Sequence, residues 1–394
     1  MKKRITIIGN GFASLFFIQY FLTLPVYPFF AWFTRRIYSH YDITVIGNGS
    51  FVYFPAIPEF ITGKKNKRNV TIDIKPYLAR RNIRFIEAQV TDINDAGRTV
   101  ITTNGSYEND ALFLGIGPGF LTDEIPGTRD FTYSPCSGPD AMQTFVDKLS
   151  MLDNGIIYLG FKINKKDGFV AGRAGQMYEC ACLLDYMLTK NKKRDKFEIH
   201  FFSSNTSPDD TGAITNSLKE RGIILEYGYE PVEFIENGMI NADGSIRKAD
   251  LVLFSPSITG PDLVQTSCLP VSKGGHIDVD KYGQVKGLRC VFASGDCANH
   301  EDPPPWVPHQ AHMAQLRSQS AAKNLKSILN QQSPDNTYRY ELSFILNMED
   351  DAILLHMASD NKPPFWNIFP RKSKKLILLK NAFERLYLFY LRYL

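Results

Sequence analysis

The hydrophobic pattern of this chain changes period in a regular order. Ile5-Thr6-Ile7-Ile8 is a β-branched run without polar alternation, which suits a strand over Arg4–Ile8 buried on both faces of a parallel sheet. Gly9-Asn10-Gly11 breaks it, and the apolar stretch from about Phe12 predicts a buried helix. Short apolar runs recur at Asp42–Ile46, Ala111–Leu114, Gly155–Gly160, Phe197–Phe202 and Cys290–Ala293. Arg84–Ile93 alternates as half-buried strands do. Helical spacing is expected over about His309–Leu325 and again near the C-terminus. Strands alternating with helices predict an α/β fold.

The N-terminal stretch is ambiguous on hydropathy alone, because residues 5–34 contain no Asp, Glu, Lys or Arg. After Met1-Lys2-Lys3-Arg4 it imitates a signal peptide or a membrane span. Gly9-Asn10-Gly11, Pro25 and Pro28 interrupt it, and a compact A-x-A cleavage site is missing. Loops inside hydrocarbon would leave backbone groups unpaired, so a strand, a turn and a buried helix are expected instead. Pro25–Phe33 reads as an aromatic insertion that packs on the core or touches a membrane or partner.

Composition narrows the class. At ~150 residues per domain, 394 residues make about two or three domains, and 44% hydrophobic residues can fill their cores. A net charge of +4 gives no footprint for nucleic acid. Six cysteines exclude a disulfide scaffold and fit a reducing compartment, and their spacing offers no metal site.

The first turn carries chemistry. Gly9-Asn10-Gly11-Phe12-Ala13-Ser14 has the form G-x-G-x-x-S between a strand and a helix. Gly9 allows the tight turn, and Gly11 lets a pyrophosphate approach the backbone. The amides of Phe12, Ala13 and Ser14 then open a helix whose N-terminus favours anions. The strand Asp42–Ile46 should end in an acid for an adenosine ribose. It ends in Gly47-Asn48-Gly49, so only Asn48 remains as an uncharged substitute. Gly115 and Gly117 close another strand, and Gly295-Asp296 closes a fourth, where a carboxylate can hold a ribityl hydroxyl or a phosphate-side group of a flavin.

These segments in this order resemble the two-dinucleotide-binding-domain flavoproteins, in the branch of sulfide:quinone oxidoreductases and type II NADH dehydrogenases. The resemblance rests on "IIGNGFAS", "FVYFPAIPEFITGK", "LGIGPG", "VFASGDCA" and "KNAFERLYLFYLR", and it covers nearly the whole chain. It implies two Rossmann-like domains and FAD. Residues 1–145 with 276–340 would form the FAD-binding domain, 146–275 a second, NAD-binding-like domain, and 341–394 a membrane-facing or interface segment. It places Gly9, Gly11 and Ser14 at the pyrophosphate, Asp296 at the flavin side, and Pro55, Gly117 and Gln310 near the isoalloxazine. Phe12, Ala13, Asn48, Val90, Gly115 and Gly295 complete the expected FAD-binding set.

The second unit departs from a nicotinamide site. After the strand Gly155–Gly160 comes the basic loop Phe161–Gly168, and only then Gly172-Arg173-Ala174-Gly175-Gln176-Met177-Tyr178-Glu179 opening a helix. The strand Phe197–Phe202 ends in Ser203-Ser204 without a ribose acid, so NAD(P)H binding stands against a non-binding repeat. The sulfide:quinone branch carries a reactive Cys just before this glycine, and a second one beyond Gly-Asp. Val170, Ala171, Gly172, Arg173 and Ala174 include no Cys, and none follows Cys297. A dithiol mechanism for sulfide therefore lacks its sulfurs. Cys180, Cys182, Cys290 and Cys297 read as packing residues, while Cys136, expected in a flexible loop, is the one thiol with a claim to reactivity.

His309, Gln310 and His312 precede or open the helix after Gly-Asp, and either histidine could deliver protons to a quinone or simply cap the helix. Residues 371–394 hold seven Lys/Arg and one Glu. Leu376, Leu379, Phe383, Leu386, Tyr387, Tyr390 and Leu394 fall on one helical side, opposite Lys374, Asn381, Arg385 and Arg392. Such a helix suits an anionic bilayer interface or docks on protein. The expectation is a peripheral FAD-dependent oxidoreductase at the cytoplasmic face of a membrane, passing electrons from an unidentified donor to a quinone. A homodimer, a flavin-binding subunit of a larger electron-transfer complex, or a non-catalytic flavoprotein remain alternatives.

Overall fold

The computed structural model describes residues 2–22, 40–167, 173–204, 212–299, 301–304, 306–360 and 372–394. The aromatic insertion at 25–33 and residues 168–172 of the second glycine-containing loop lie outside the described residues.

Two parallel sheets organise the chain. The first has the spatial order Arg84–Glu87, Tyr41–Gly47, Lys3–Ile8, Ala111–Leu114, Val291–Ala293. Its last strand arrives from far along the sequence and pairs Val291 with Leu112 and Ala293 with Leu114. The runs are apolar throughout because helices cover one face and a three-stranded antiparallel layer from residues 90–108 covers the other. Phe17 of the helix Phe12–Leu22 stacks on Phe113 at 3.9 Å between ring centres. That helix also lies along the long helix Ala311–Leu329, which starts two residues later than the pattern predicted. The start moves because Gln310 is extended, at φ −149° and ψ 162°, as the residue before the helix.

The second sheet has the order Ile224–Tyr227, Phe197–Ser203, Gly155–Phe161, Leu251–Ser255, again parallel. The helix Ala174–Lys190 packs on it, with Phe201 stacked on Tyr178. Cys180 and Cys182 are both fully buried in this core, so their expected packing role fits their surroundings. Burial pushes the Cys180 thiol up, the Cys182 thiol to about 12 and the Cys297 thiol to about 11, which keeps them inert.

A hairpin, Glu341–Asn347 with Ala352–Ala358, and the helix Lys375–Tyr393 close the structure. The expected apolar side of this helix is divided. Leu376 and Tyr390 are buried, whereas Phe383, Leu386 and Leu394 are exposed. The helix has rotated to dock Tyr390 and Leu391 on the segment Lys75–Ala79 and its flank. Arg80 donates to the Leu391 carbonyl at 3.0 Å, and Arg81 donates to the Tyr390 hydroxyl at 3.0 Å. Leu378, Phe383, Leu386, Phe389 and Tyr393 form the outward apolar surface, and among the described residues no helix is long and apolar enough to cross a membrane.

Candidate functional site

The first sheet reverses its strand order between Lys3–Ile8 and Ala111–Leu114, and ligands in such sheets bind beyond the carboxyl ends at that point. Five glycines mark this edge, Gly9, Gly11, Gly115, Gly117 and Gly295. Gly9 has φ +96°, and a Cβ there would stand 2.3 Å from the Gly115 carbonyl oxygen. Ser14 is fully buried against Gly115, and Ala13 against Gly295, so small residues let the helix start sit directly over the strand ends. Gly11 differs: a Cβ there would meet nothing within 4 Å. The same holds for Gly117. The turn is therefore tight where it touches the sheet and open where a pyrophosphate would approach, as a phosphate cradle requires.

The missing acid has a steric cause. A Cβ on Gly47 would lie 2.2 Å from Oδ1 of Asn10. That amide is fixed at both ends: Asn10 Oδ1 accepts from the Asn48 amide at 3.0 Å, and its Nδ2 donates to the Ser50 carbonyl at 2.7 Å. Asn48 in turn accepts the Ser50 amide on its side-chain oxygen. Pro55 lies in the first turn of the 3-10 helix Phe54–Phe60, and Val90 opens a strand opposite Thr102.

Asp296 is the centre of a buried polar group. Arg173 is hydrogen-bonded to its carboxylate, and His309 Nδ1 lies 3.6 Å from it. Burial alone would raise the Asp296 carboxyl, but Arg173 and His309 outweigh it and hold it well below the usual range. Burial pushes the His309 imidazole down against the pull of Asp296. Close by, the Cys136 sulfur lies 3.4 Å from the Ser255 hydroxyl. Cys136 is thus buried in a short 3-10 turn, not carried on a flexible loop as expected; Pro135 and the Ser134 hydroxyl cap on the Cys136 amide fix it there. The Gln310 side-chain nitrogen is buried without a hydrogen-bond partner among the described residues, an orphan that a bound group could satisfy. His309 and His312 do not converge. His312 lies instead 3.1 Å from Glu341, which with Arg339 and Ser343 forms a separate polar cluster. All six cysteines are free, and among the described residues no group of His, Cys, Asp and Glu could hold a metal ion.

Residues 200–318 match the family model described as pyridine nucleotide-disulphide oxidoreductase. A sulfide-quinone reductase from Aquifex aeolicus is 22% identical over 415 aligned positions, covering 100% of this chain and 92% of the relative. A type II NADH:quinone oxidoreductase from Staphylococcus aureus is 24% identical, covering 85% of this chain and 84% of the relative. The solved sulfide:quinone oxidoreductase of Aquifex aeolicus superposes with a TM-score of 0.80 at 21% identity, over 99% of this chain and 91% of that one. This chain resembles the sulfide:quinone and type II NADH branch of the two-dinucleotide-binding-domain flavoproteins. A second solved member of the branch, the Plasmodium falciparum NDH2 in complex with NADH, aligns at a TM-score of 0.71 and 12% identity over 98% of this chain and 95% of that one. The group is one of flavin-dependent oxidoreductases.

Within this branch-like frame lies a charged cluster that motif reading missed. Glu59, Glu179 and Glu384 are buried beside the partly buried Lys380 and Lys65. Lys380 is bonded to Glu179 and lies 3.4 Å from Glu59, while Lys65 is bonded to Glu384. Asn347 donates to Glu59 at 3.3 Å. Burial pushes the Glu179 carboxyl up to about 7, with Lys380 pulling it the other way. Glu59 and Glu179 outweigh burial and raise Lys380, so the ammonium stays charged. The cluster joins the crevice to the C-terminal helix. Gln176, one turn before Glu179, donates to the Phe54 carbonyl at 3.0 Å, and Lys380 and Glu384 sit on the terminal helix itself. The available signals were Lys380 and Glu384 at i,i+4 spacing, and a lone Glu179 inside an apolar helix.

Proposed function

We propose that this chain is a peripheral membrane flavoenzyme that binds FAD in the first crevice and passes electrons to a quinone beneath the C-terminal helix. The observation that carries this reading is the buried Glu59–Glu179–Lys380–Glu384 cluster, which lies between the glycine-lined crevice and an outward apolar helix. Two-electron reduction of a quinone to a quinol consumes two protons, and Glu179, whose carboxyl burial pushes up to about 7, can hand one over. The open backbone at Gly11 and Gly117, the helix start at Phe12–Ser14, the Asp296 carboxylate and the orphan Gln310 amide are fitted to hold the dinucleotide. When bound, the flavin supplies the two-electron exchange.

This chain's own residues do the remaining work. Asp296, kept ionised by Arg173, accepts hydrogen bonds from the cofactor's hydroxyls. Glu179, protonated below about pH 7, gives a proton toward the quinone oxygen. Lys380 stabilises the carboxylate left behind, and Glu384 with Lys65 leads toward the surface for reprotonation. Phe12, Phe16, Phe51, Tyr53 and Tyr387 cluster beside the glycine turn and supply an apolar, water-excluding wall. The donor is a separate question. Residues 170–174, where the sulfide:quinone branch carries a Cys, hold none, and none follows Cys297, which argues against a dithiol route.

An anaerobic absorbance titration with NADH, NADPH and sulfide in turn tests the reading. A flavin spectrum bleached by a donor and restored by a soluble quinone supports it; a protein that takes up no FAD overturns it. Membrane attachment has its own test. Leu378 is 70% exposed and Phe389 49% exposed, with Arg385 and Arg392 beside them on the helix. Replacing both apolar residues by Glu should abolish sedimentation with vesicles containing anionic lipid while leaving the circular dichroism unchanged. Retained sedimentation would exclude this surface as the anchor.

A further inference from the structure

The adenosine end of the crevice has an acid, but on a different strand. Glu87 closes the strand Arg84–Glu87 and is the register partner of Gly47, so its Cα stands beside the position where the ribose acid is expected. Its side chain is 61% exposed. Lys75 donates to Glu87 Oε2 at 2.6 Å, and no partner of Oε1 is found among the described residues. Lys75 is itself set in place. Its amide donates to Asp73 Oδ1 at 2.9 Å, its ammonium lies 5.8 Å from the centre of the Phe85 ring, and its stem passes so close to Gly49 that a Cβ there would be 2.7 Å from it. Asn104 donates to the Glu87 carbonyl at 2.8 Å and fixes the backbone.

We infer that Glu87, positioned by Lys75, binds the ribose hydroxyls of the FAD adenosine in place of the acid that Asn10 sterically bars from position 47. The inference rests on the flavin reading above. A ribose presents two adjacent O–H donors, and a carboxylate accepts both with charge-assisted bonds. Gly47 and Asn10 leave room on the second strand only for hydrogen, so the acceptor must come from the neighbouring strand end or from uncharged Asn48. Lys75 holds one carboxylate oxygen in a fixed place and leaves the other for the ligand.

The test uses full-length protein stripped of flavin and titrated with FAD and, separately, with FMN, which has no adenosine. For Glu87→Ala the dissociation constant for FAD should rise about tenfold, the size of one charge-assisted hydrogen bond, with FMN binding unchanged. Lys75→Met should give a smaller loss confined to FAD. In the wild type, FAD lacking the ribose 2′-hydroxyl should bind about as weakly as FAD binds Glu87→Ala, and that variant should not distinguish the two flavins. Unchanged FAD binding by Glu87→Ala, or equal losses for FAD and FMN, would make Glu87–Lys75 a surface ion pair only and overturn the inference. A wild-type chain that takes up neither flavin overturns the flavin reading and this inference with it.

Discussion

Replacing Glu179 by Gln should slow quinone reduction about 100-fold while leaving reduction of the protein by its donor within about a factor of two. General acid groups contribute about 10² to 10⁴ in rate, and the lower end applies because Glu59 lies on the same lysine and can substitute in part. The pH profile follows from the same shift. Burial pushes the Glu179 carboxyl up to about 7, so it holds its proton below that pH and loses it above. Quinone reduction should therefore be fastest below pH 7 and fall as pH rises through it. In the Gln variant that limb should disappear, since an amide has no proton to release. Stopped-flow measurement of the two half-reactions separates these outcomes. Equal slowing of both halves would show that Glu179 merely supports the fold, and an unchanged pH profile would remove it from proton delivery. Stability moves with the same sign: between the ordinary carboxylate range and about 7 the folded protein holds a proton that the unfolded chain has released. Stability from this group is thus lost as pH rises across that window.

The difference between what could and could not be read in advance is one of sequence distance. Gly9-Asn10-Gly11 and the helix after it are local, and their chemistry is fixed by steric freedom and helix-end donors within six residues. The reason for Gly47 is not local, because it lies in the Asn10 amide across a strand pair. The Lys380–Glu179 contact joins residues from opposite parts of the chain, and nothing in either motif announces the other. Helix amphipathicity is intermediate. The spacing in 371–394 gives the helix, but its expected apolar side is divided between docked and exposed residues, because spacing does not say which positions the fold will cover. Here Arg80, Arg81 and Tyr77 claim Tyr390 and Leu391, and that contact sets the rotation of the helix. Arg173 shows the same limit at a single position. The sequence says only that residues 170–174 hold no cysteine, and only the fold shows the Arg173 guanidinium buried against Asp296.

The other large effect is expected at Gly11. Gly11→Val should lower FAD affinity at least 100-fold with little change in the melting temperature of the flavin-free protein. The two halves of that expectation come from one observation: a Cβ at Gly11 meets no protein atom within 4 Å. Space that the protein leaves empty above a strand–turn–helix is the space through which a pyrophosphate reaches the first-turn amides. A valine side chain would fill it, pushing the phosphates off several charge-assisted bonds at about 1.5–3 kcal/mol each, so loss of two is already near or beyond 100-fold. Gly9 provides the contrast. Its φ is +96°, and any Cβ at that position would stand 2.3 Å from the Gly115 carbonyl oxygen, so Gly9→Val should impair folding itself. Thermal unfolding of the two stripped variants beside flavin titrations separates a blocked cradle from a broken one. If Gly11→Val retains FAD at wild-type affinity, the phosphates do not lie over this turn, and the crevice assignment fails where it is most specific.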